Sequence, residues 1–280
     1  MEVCINFPWW PNLRIRTPQG IPAITLEMDY LRPINVSLIE EALKANSNIS
    51  QVALVHFETG VGILNDIEKI GSIAKKYDCG LLVDAISSFG VLDLHFDQVP
   101  LIAAAASSNK CLHGVPGVSF VLVEKNRLNS EYVPKSLSLD LHAQYFALSQ
   151  QKAWRFTPPI QVILALIEAI KAYFEAGGRD ARYARYKALQ NIITSGLSSV
   201  GIKTLVPQIY SAPIIQTFVL TSHKEYLNAQ YITEELYKEN IVIYSSVIKD
   251  LNSFRIGFIG ELSLMDAKNL VESFIRVVNH

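Results

Sequence analysis

The chain has 280 residues, half of them hydrophobic and 18% charged, with a net charge of −1 and a pI near 6.6. That balance describes a globular protein with a large core, long enough for one large domain plus a smaller one, and it argues against nucleic acid or an acidic membrane surface as partner. No apolar run approaches the ~20 residues of a membrane span, no basic-then-apolar signal opens the chain, and no metal site is expected. Three unevenly spaced cysteines (Cys4, Cys79 and Cys111) argue against a disulfide framework and for a reducing cytoplasm.

Residues 1–20 contain Pro8, Pro11 and Pro18, which break any helix, and Trp9 and Trp10, two large rings without periodicity. From Ile21, PAITLEMDY predicts a strand and a loop. Asn35 then caps the helix VSLIEEALKAN, because its side chain can accept a free first-turn N–H. SQVALVHFET reads as a strand, and Asp66 opens a helix over 66–76. A buried strand follows at 80–83 with Asp84 at its carboxyl end. A second covers 101–106, ahead of Ser107, Ser108, Asn109 and Lys110, and 119–124 is one more. Strand, helix, strand at this spacing is a βαβ unit, so the fold class is α/β, a mostly parallel sheet flanked by helices. The pattern loosens past Lys125 through a polar stretch, and Pro158-Pro159 marks a boundary. Helices at 160–175 (ended by Gly177-Gly178) and up to Leu197 come next. Strands at 214–220, 241–244 and 254–257 and helices near 228–238 and 265–277 complete a smaller C-terminal α+β domain. The expected division is 1–159 and 160–280.

In an open parallel sheet, ligands collect in the crevice outside the carboxyl ends of the strands. Asp84 and Lys110, 26 positions apart, stand at two such ends. A lysine among small residues and the Gly114 to Gly117 turn can act as a Schiff-base nucleophile. An aspartate that keeps a pyridine nitrogen protonated is what pyridoxal phosphate (PLP) requires to work as an electron sink. On spacing alone, a surface lysine and a capping aspartate at two ordinary strand ends remain an open alternative.

The blocks HFETGVGILNDIEKIGSIAKKYDCGLLVDAISSFG, from His56, and SSNKCLHGVPGVSFVLVEK, from Ser107, resemble the class V, fold-type I aminotransferases. SLSLDL at Ser136, WRFTPP at Trp154, AGGRDARYARY at Ala176, SAPIIQTF at Ser211 and FRIGFIGEL at Phe254 follow in the family's order. The resemblance runs from about Gly20 to the end. Within the family, the blocks are most similar to enzymes that move the amino group of 2-aminoethylphosphonate to pyruvate, giving phosphonoacetaldehyde and alanine. An alanine– or serine–glyoxylate aminotransferase is the nearest alternative. A cysteine desulfurase is disfavoured, because no cysteine stands in a Gly/Ser-rich loop.

The resemblance implies a role for each of several residues. Lys110 would bond covalently to PLP and carry the proton between the two carbon centres, and Asp84 would pair with the pyridine nitrogen. Thr59 would turn its hydroxyl toward the ring and Ile86 would pack on a ring face. Ser107 and Asn109 would lie beside the cofactor phosphate. Thr157 would reach the phosphate of a neighbouring subunit's cofactor, implying a homodimer with composite active sites. Arg255 would hold the acidic end of the substrate, as a planar guanidinium suits, with Arg155 a weaker candidate. His56, Cys111 and His113 read as packing or hydrogen-bonding residues. Two departures stand out. The family's E-T-T-T-G becomes Glu58-Thr59-Gly60-Val61-Gly62, which lacks two hydroxyls. The Gly-rich loop that cups the phosphate and the aromatic residue that stacks on the ring lie upstream in the family, and residues 1–20 show neither. The expectation from that second departure is a chain lacking the family's N-terminal part, with weak PLP binding, and at the limit a non-catalytic remnant.

Overall fold

The computed structural model describes residues 2–6, 22–128, 134, 136–220, 227–245, 248 and 251–279, with residues 2–6 and 245 described by backbone alone. The expectations placed on Pro8, Trp9, Trp10, Pro11 and Pro18 lie outside these residues. In chain order the first half runs β1 (Glu2–Asn6), β2 (Ala23–Glu27), α1 (Val36–Ala45), β3 (Gln51–Val55) and the short strands β4 (Phe57–Glu58) and β5 (Ile63–Leu64). It continues with α2 (Ile67–Lys76), β6 (Gly80–Asp84), β7 (Leu101–Ser107) and β8 (Ser119–Val123).

Six of these strands form one sheet in the order β2-β1-β3-β6-β7-β8. Every pairing is parallel except the last, where β8 returns antiparallel to β7. The connection into β8 is too short for the crossover helix a parallel return needs. Alternate residues of β3 and β6 bury Val52, Leu54, Leu81 and Val83 against Ile39 and Leu43 of α1 and Ile67 and Ile70 of α2. Both helices start where their caps dictate. Asn35 Oδ1 accepts the Ser37 N–H at 3.1 Å and Asp66 Oδ1 accepts the Lys69 N–H at 3.0 Å, caps worth about 1 kcal/mol each.

The structure corrects the sequence reading in three places. Glu2–Asn6 belongs to the sheet, between β2 and β3, with Cys4 in register with Thr25 and Ala53. A five-residue strand ahead of a proline-rich run gives little periodicity to find. The stretch past Lys125 contains a helix, α3 (Leu141–Ser149), capped by Asp140 through the Ala143 N–H at 2.9 Å. Its apolar residues are spread around the whole helix, so the one-sided pattern that marks a packed helix is missing. The strand expected over 241–244 shrinks to Tyr244–Ser245, because the Ile241 N–H still bonds back to Leu236 O at 3.0 Å and finishes the preceding helix.

The second half comprises α4 (Ile160–Glu175), α5 (Gly178–Ser199), β9 (Ile202–Thr204), β10 (Ile215–Leu220), α6 (Ala229–Lys238), β11 (Tyr244–Ser245), β12 (Ser253–Gly257) and α7 (Leu264–Asn279). Gly177 adopts φ +92° just past α4, the left-handed position that ends a helix and favours glycine. The four strands form an antiparallel sheet in the order β11-β12-β10-β9. Phe218, Phe254 and Phe274 stack in its core at centroid spacings of 5.7 and 5.2 Å. Phe57 and Cys111 from the first half share that core. A Cβ on Gly62 would lie 2.9 Å from Ile215 O, so this glycine lets the loop after β4 close onto β10.

Candidate active site

β6 and β7 pair so that Val55, Asp84 and Ala105 stand side by side at the carboxyl ends of three adjacent strands. Asp84 Oδ1 accepts the Ile86 N–H at 2.9 Å, which turns the chain off the strand and holds Ile86 half-buried beside it. Burial pushes the Asp84 carboxyl above the usual carboxylate range, against the pull of that bond. A short anionic group in this setting is stabilised by any cation placed next to it.

β7 ends in a wound turn that carries Lys110. Ser108 is fully buried and donates its hydroxyl to Val115 O at 2.6 Å. The Gly114 N–H bonds Ser108 O at 2.8 Å and the His113 N–H bonds Lys110 O at 2.9 Å. A Cβ at Gly114 would sit 2.9 Å from Ser108 O, so the winding depends on that glycine. Ser107 Oγ donates to Asn109 Oδ1 at 3.0 Å, which joins the two residues expected near a phosphate.

The turn is also gripped from the second half of the chain. His113 holds a left-handed backbone (φ +60°), uncommon without glycine. Its Nε2 meets the Tyr186 hydroxyl and the Gly260 N–H (3.2 Å), and its Nδ1 meets Glu261 at 3.1 Å. With Nε2 accepting from Gly260, the ring proton belongs on Nδ1, donated to Glu261. Arg185 pairs with the same carboxylate, and the buried Arg182 donates to Cys111 O at 2.5 Å. Arg185 holds the Glu261 carboxyl below its usual range, while burial and then Arg182 hold the His113 imidazole below its own. Sequence reasoning missed Arg182, Tyr186 and Glu261. The available signal was the four-residue spacing of Arg182 and Tyr186 on α5, which puts both on one helix face.

Arg255 reaches the same region from β12. Its Nη1 donates to Thr59 O at 3.0 Å, while its Nε is buried without a partner among the described residues. Glu58 stands nearby and spends its carboxylate on the N–H groups of Gly60 (2.5 Å) and Val61 (3.0 Å). Burial raises the Glu58 carboxyl despite those bonds and the charge of Arg255, and burial likewise lowers the Arg255 pKa. The guanidinium is therefore fixed at one end with its Nε edge unspent.

A cleft of about 1160 Å³ joins these walls, lined among others by Thr59, Ser87, Asn109, Lys110, Tyr244 and Arg255. Four of the residues expected from sequence thus face one space, whereas Asp84, Ile86 and Ser107 do not line it; Ile86 precedes the lining Ser87 and Ser107 bonds the lining Asn109. Thr157 does not line the cleft; it is exposed just ahead of α4. Arg155 is occupied elsewhere, paired with Asp140 at 3.5 Å and donating to Leu137 O at 2.7 Å, which removes it as an anion holder. Among the described residues there is no cluster of three metal-ligating side chains, and no helix is long and apolar enough to cross a membrane.

An amine on a wound turn, a desolvated carboxylate at the end of the neighbouring strand and a half-spent guanidinium form the arrangement that the resemblance anticipates. The sequence profile of the family Aminotransferase class-V matches residues 6–245. The chain belongs to the class-V aminotransferases. Members of the family work with PLP, and the match extends upstream of Gly20, further than the motifs alone indicate. The 2-aminoethylphosphonate–pyruvate transaminase of Cupriavidus taiwanensis is 34% identical over 267 residues, covering 95% of this chain and 71% of that relative. The Bacillus cereus transaminase of the same name is 34% identical over 281 residues, covering 99% of this chain and 76% of its own. Among solved structures, alanine–glyoxylate aminotransferase from Nostoc sp. superposes with a TM-score of 0.87 at 19% identity, covering 99% of this chain and 75% of that one. At that identity the likeness speaks for the fold, which is the fold-type I arrangement of a large sheet and a smaller C-terminal α+β unit.

Proposed function

We propose that this aminotransferase moves the amino group of 2-aminoethylphosphonate to pyruvate, with the Lys110–Asp84–Arg255 cleft as its active site. The observation that carries the reading is the buried Nε of a half-buried Arg255, without a partner among the described residues, in the cleft that Lys110 also lines. A buried N–H without a partner is costly, and an acidic substrate group resolves it. Relatives that share a third of their residues with this chain and bear the transaminase name support the choice of substrate.

The residues present fit PLP. Lys110 would supply the amine that attaches it and Asp84 the carboxylate for its ring nitrogen, Thr59 and Ile86 would serve the ring, and Ser107 and Asn109 would offer hydroxyl and amide to its phosphate. Bound PLP supplies the electron sink for breaking a C–H bond next to nitrogen. Around it, Lys110 takes and returns the proton at its Nζ, Asp84 keeps the ring nitrogen protonated, and Arg255 sets the substrate's acidic end. We further place the enzyme in the cytoplasm as a homodimer, with the chain divided at 159/160. The dimer draws support from the exposed apolar side chains over 137–164, on α3, on α4 and in the segments before and between them (Leu137, Leu139, Phe146, Trp154, Ile160 and Leu164), a stretch that includes Thr157, expected to reach the partner's cofactor phosphate. Purified protein with PLP should convert 2-aminoethylphosphonate and pyruvate to alanine. Turnover with glyoxylate and not with pyruvate would favour the glyoxylate alternative.

A further inference from the structure

We propose that Tyr244 is a specificity-determining residue whose hydroxyl receives the third oxygen of a phosphonate held on Arg255. The proposal rests on the substrate reading above and refines it. Tyr244 of β11 pairs directly with Arg255 of β12. Directly opposed residues of antiparallel strands point to one face with Cβ atoms about 4.5–5.5 Å apart, and both residues line the cleft with Lys110. On its other flank Arg255 pairs with Thr217. Thr217 is fully buried and its hydroxyl already donates to Gly60 O at 3.4 Å. The Tyr244 hydroxyl, on a side chain 61% exposed, has no hydrogen bond among the described residues.

The chemistry of the two acidic groups makes this asymmetry matter. A carboxylate is planar, and a guanidinium fork satisfies both its oxygens. A phosphonate is tetrahedral, so two oxygens on the fork leave a third out of the guanidinium plane. Its neighbour across the strands, Tyr244, then offers a hydroxyl that no other described residue takes up. An enzyme that alternates between a phosphonate amine and a carboxylate amine can use such a donor to favour the first without rejecting the second.

The test compares Tyr244→Phe with wild type in single turnovers of the PLP-loaded enzyme, using 2-aminoethylphosphonate and L-alanine as amino donors. The phenyl ring keeps the packing and removes only the hydroxyl. The second-order rate for 2-aminoethylphosphonate should fall about 10- to 100-fold, the worth of one hydrogen bond to a charged group, while that for alanine stays within about twofold. Equal losses for both amines, or no loss for either, would overturn the proposal. Calorimetric affinities of ethylphosphonate and propionate give the same contrast without turnover. If wild type consumes alanine but not 2-aminoethylphosphonate, the substrate reading fails on its own, and the calorimetry still decides whether Tyr244 selects phosphonate.

Discussion

The two walls of the cleft reach their positions by different means. Asp84 and Lys110 sit at the ends of β6 and β7, which are hydrogen-bonded neighbours, and backbone pairing plus a self-bonded turn place them. Arg255 and Tyr244 come from an antiparallel sheet formed much later in the chain. One hydrogen bond from Arg255 to Thr59 O, the Gly62–Ile215 approach and the His113–Glu261 link set them across from the first wall. The first wall is therefore placed mainly by its backbone, whereas the second depends on side chains for its placement. Substitutions in the first should change the chemistry and leave substrate selection intact; substitutions in the second should do the reverse.

The largest effect is expected at Asp84. Asp84→Asn keeps the Oδ1 acceptor for Ile86 and removes the charge, so kcat should fall by about 100- to 1000-fold, the scale of one preorganised electrostatic group, with KM little altered. Burial raises the Asp84 carboxyl, so its ionised form opposes folding at neutral pH. The Tm of the cofactor-free variant should match or exceed that of wild type. A normal kcat, or a collapsed Tm, would break the distinction between the walls.

Arg255→Lys should act the other way. One ammonium cannot reproduce the fork, and KM for both amino donor and keto acid should rise about 10- to 150-fold, with a smaller change in kcat. Steady-state kinetics with both substrates check this. Unchanged KM values would take Arg255 out of substrate binding.

The smallest effect concerns stability rather than turnover. His56 lies buried beneath the first wall at the end of β3, and burial holds its imidazole down to about 4. Its folded pKa lies below its unfolded value near 6.5. Stability should therefore be complete above about pH 6.5 and fall as the pH drops toward 4, by on the order of 3 kcal/mol. Denaturant melts at pH 7 and pH 4.5 should show that loss in wild type, and His56→Leu should reduce it. An identical slope in the variant would mean that other groups carry it.

These two walls were not equally legible in the sequence. Apolar runs ended by Asp84 and Lys110, and helices capped by Asn35 and Asp66, carry local signals, and the structure keeps them where the sequence predicts. Arg255 was found through the FRIGFIG block. Nothing local could show that its Nη1 ends on Thr59 O, because that contact exists only once two sheets have packed. Tyr244 escaped for the same reason: its strand is two residues long and its meaning lies in the register with Arg255. His113 read as a packing or hydrogen-bonding residue, but its particular partners, Tyr186 and Glu261, lie on elements that only the fold brings to it. The strand Glu2–Asn6 was hidden by its brevity beside the prolines that follow.

Most direct of all is a covalent map of the cofactor lysine. The protein is incubated with PLP, reduced with sodium borohydride and digested, and the pyridoxyl-bearing peptide is sequenced by mass spectrometry, in wild type and in Lys110→Ala. The label should fall on Lys110 alone, and the variant should lose the label, the visible band and turnover together. A label on another lysine, or a band that survives in Lys110→Ala, would contradict the assignment of this cleft as the active site.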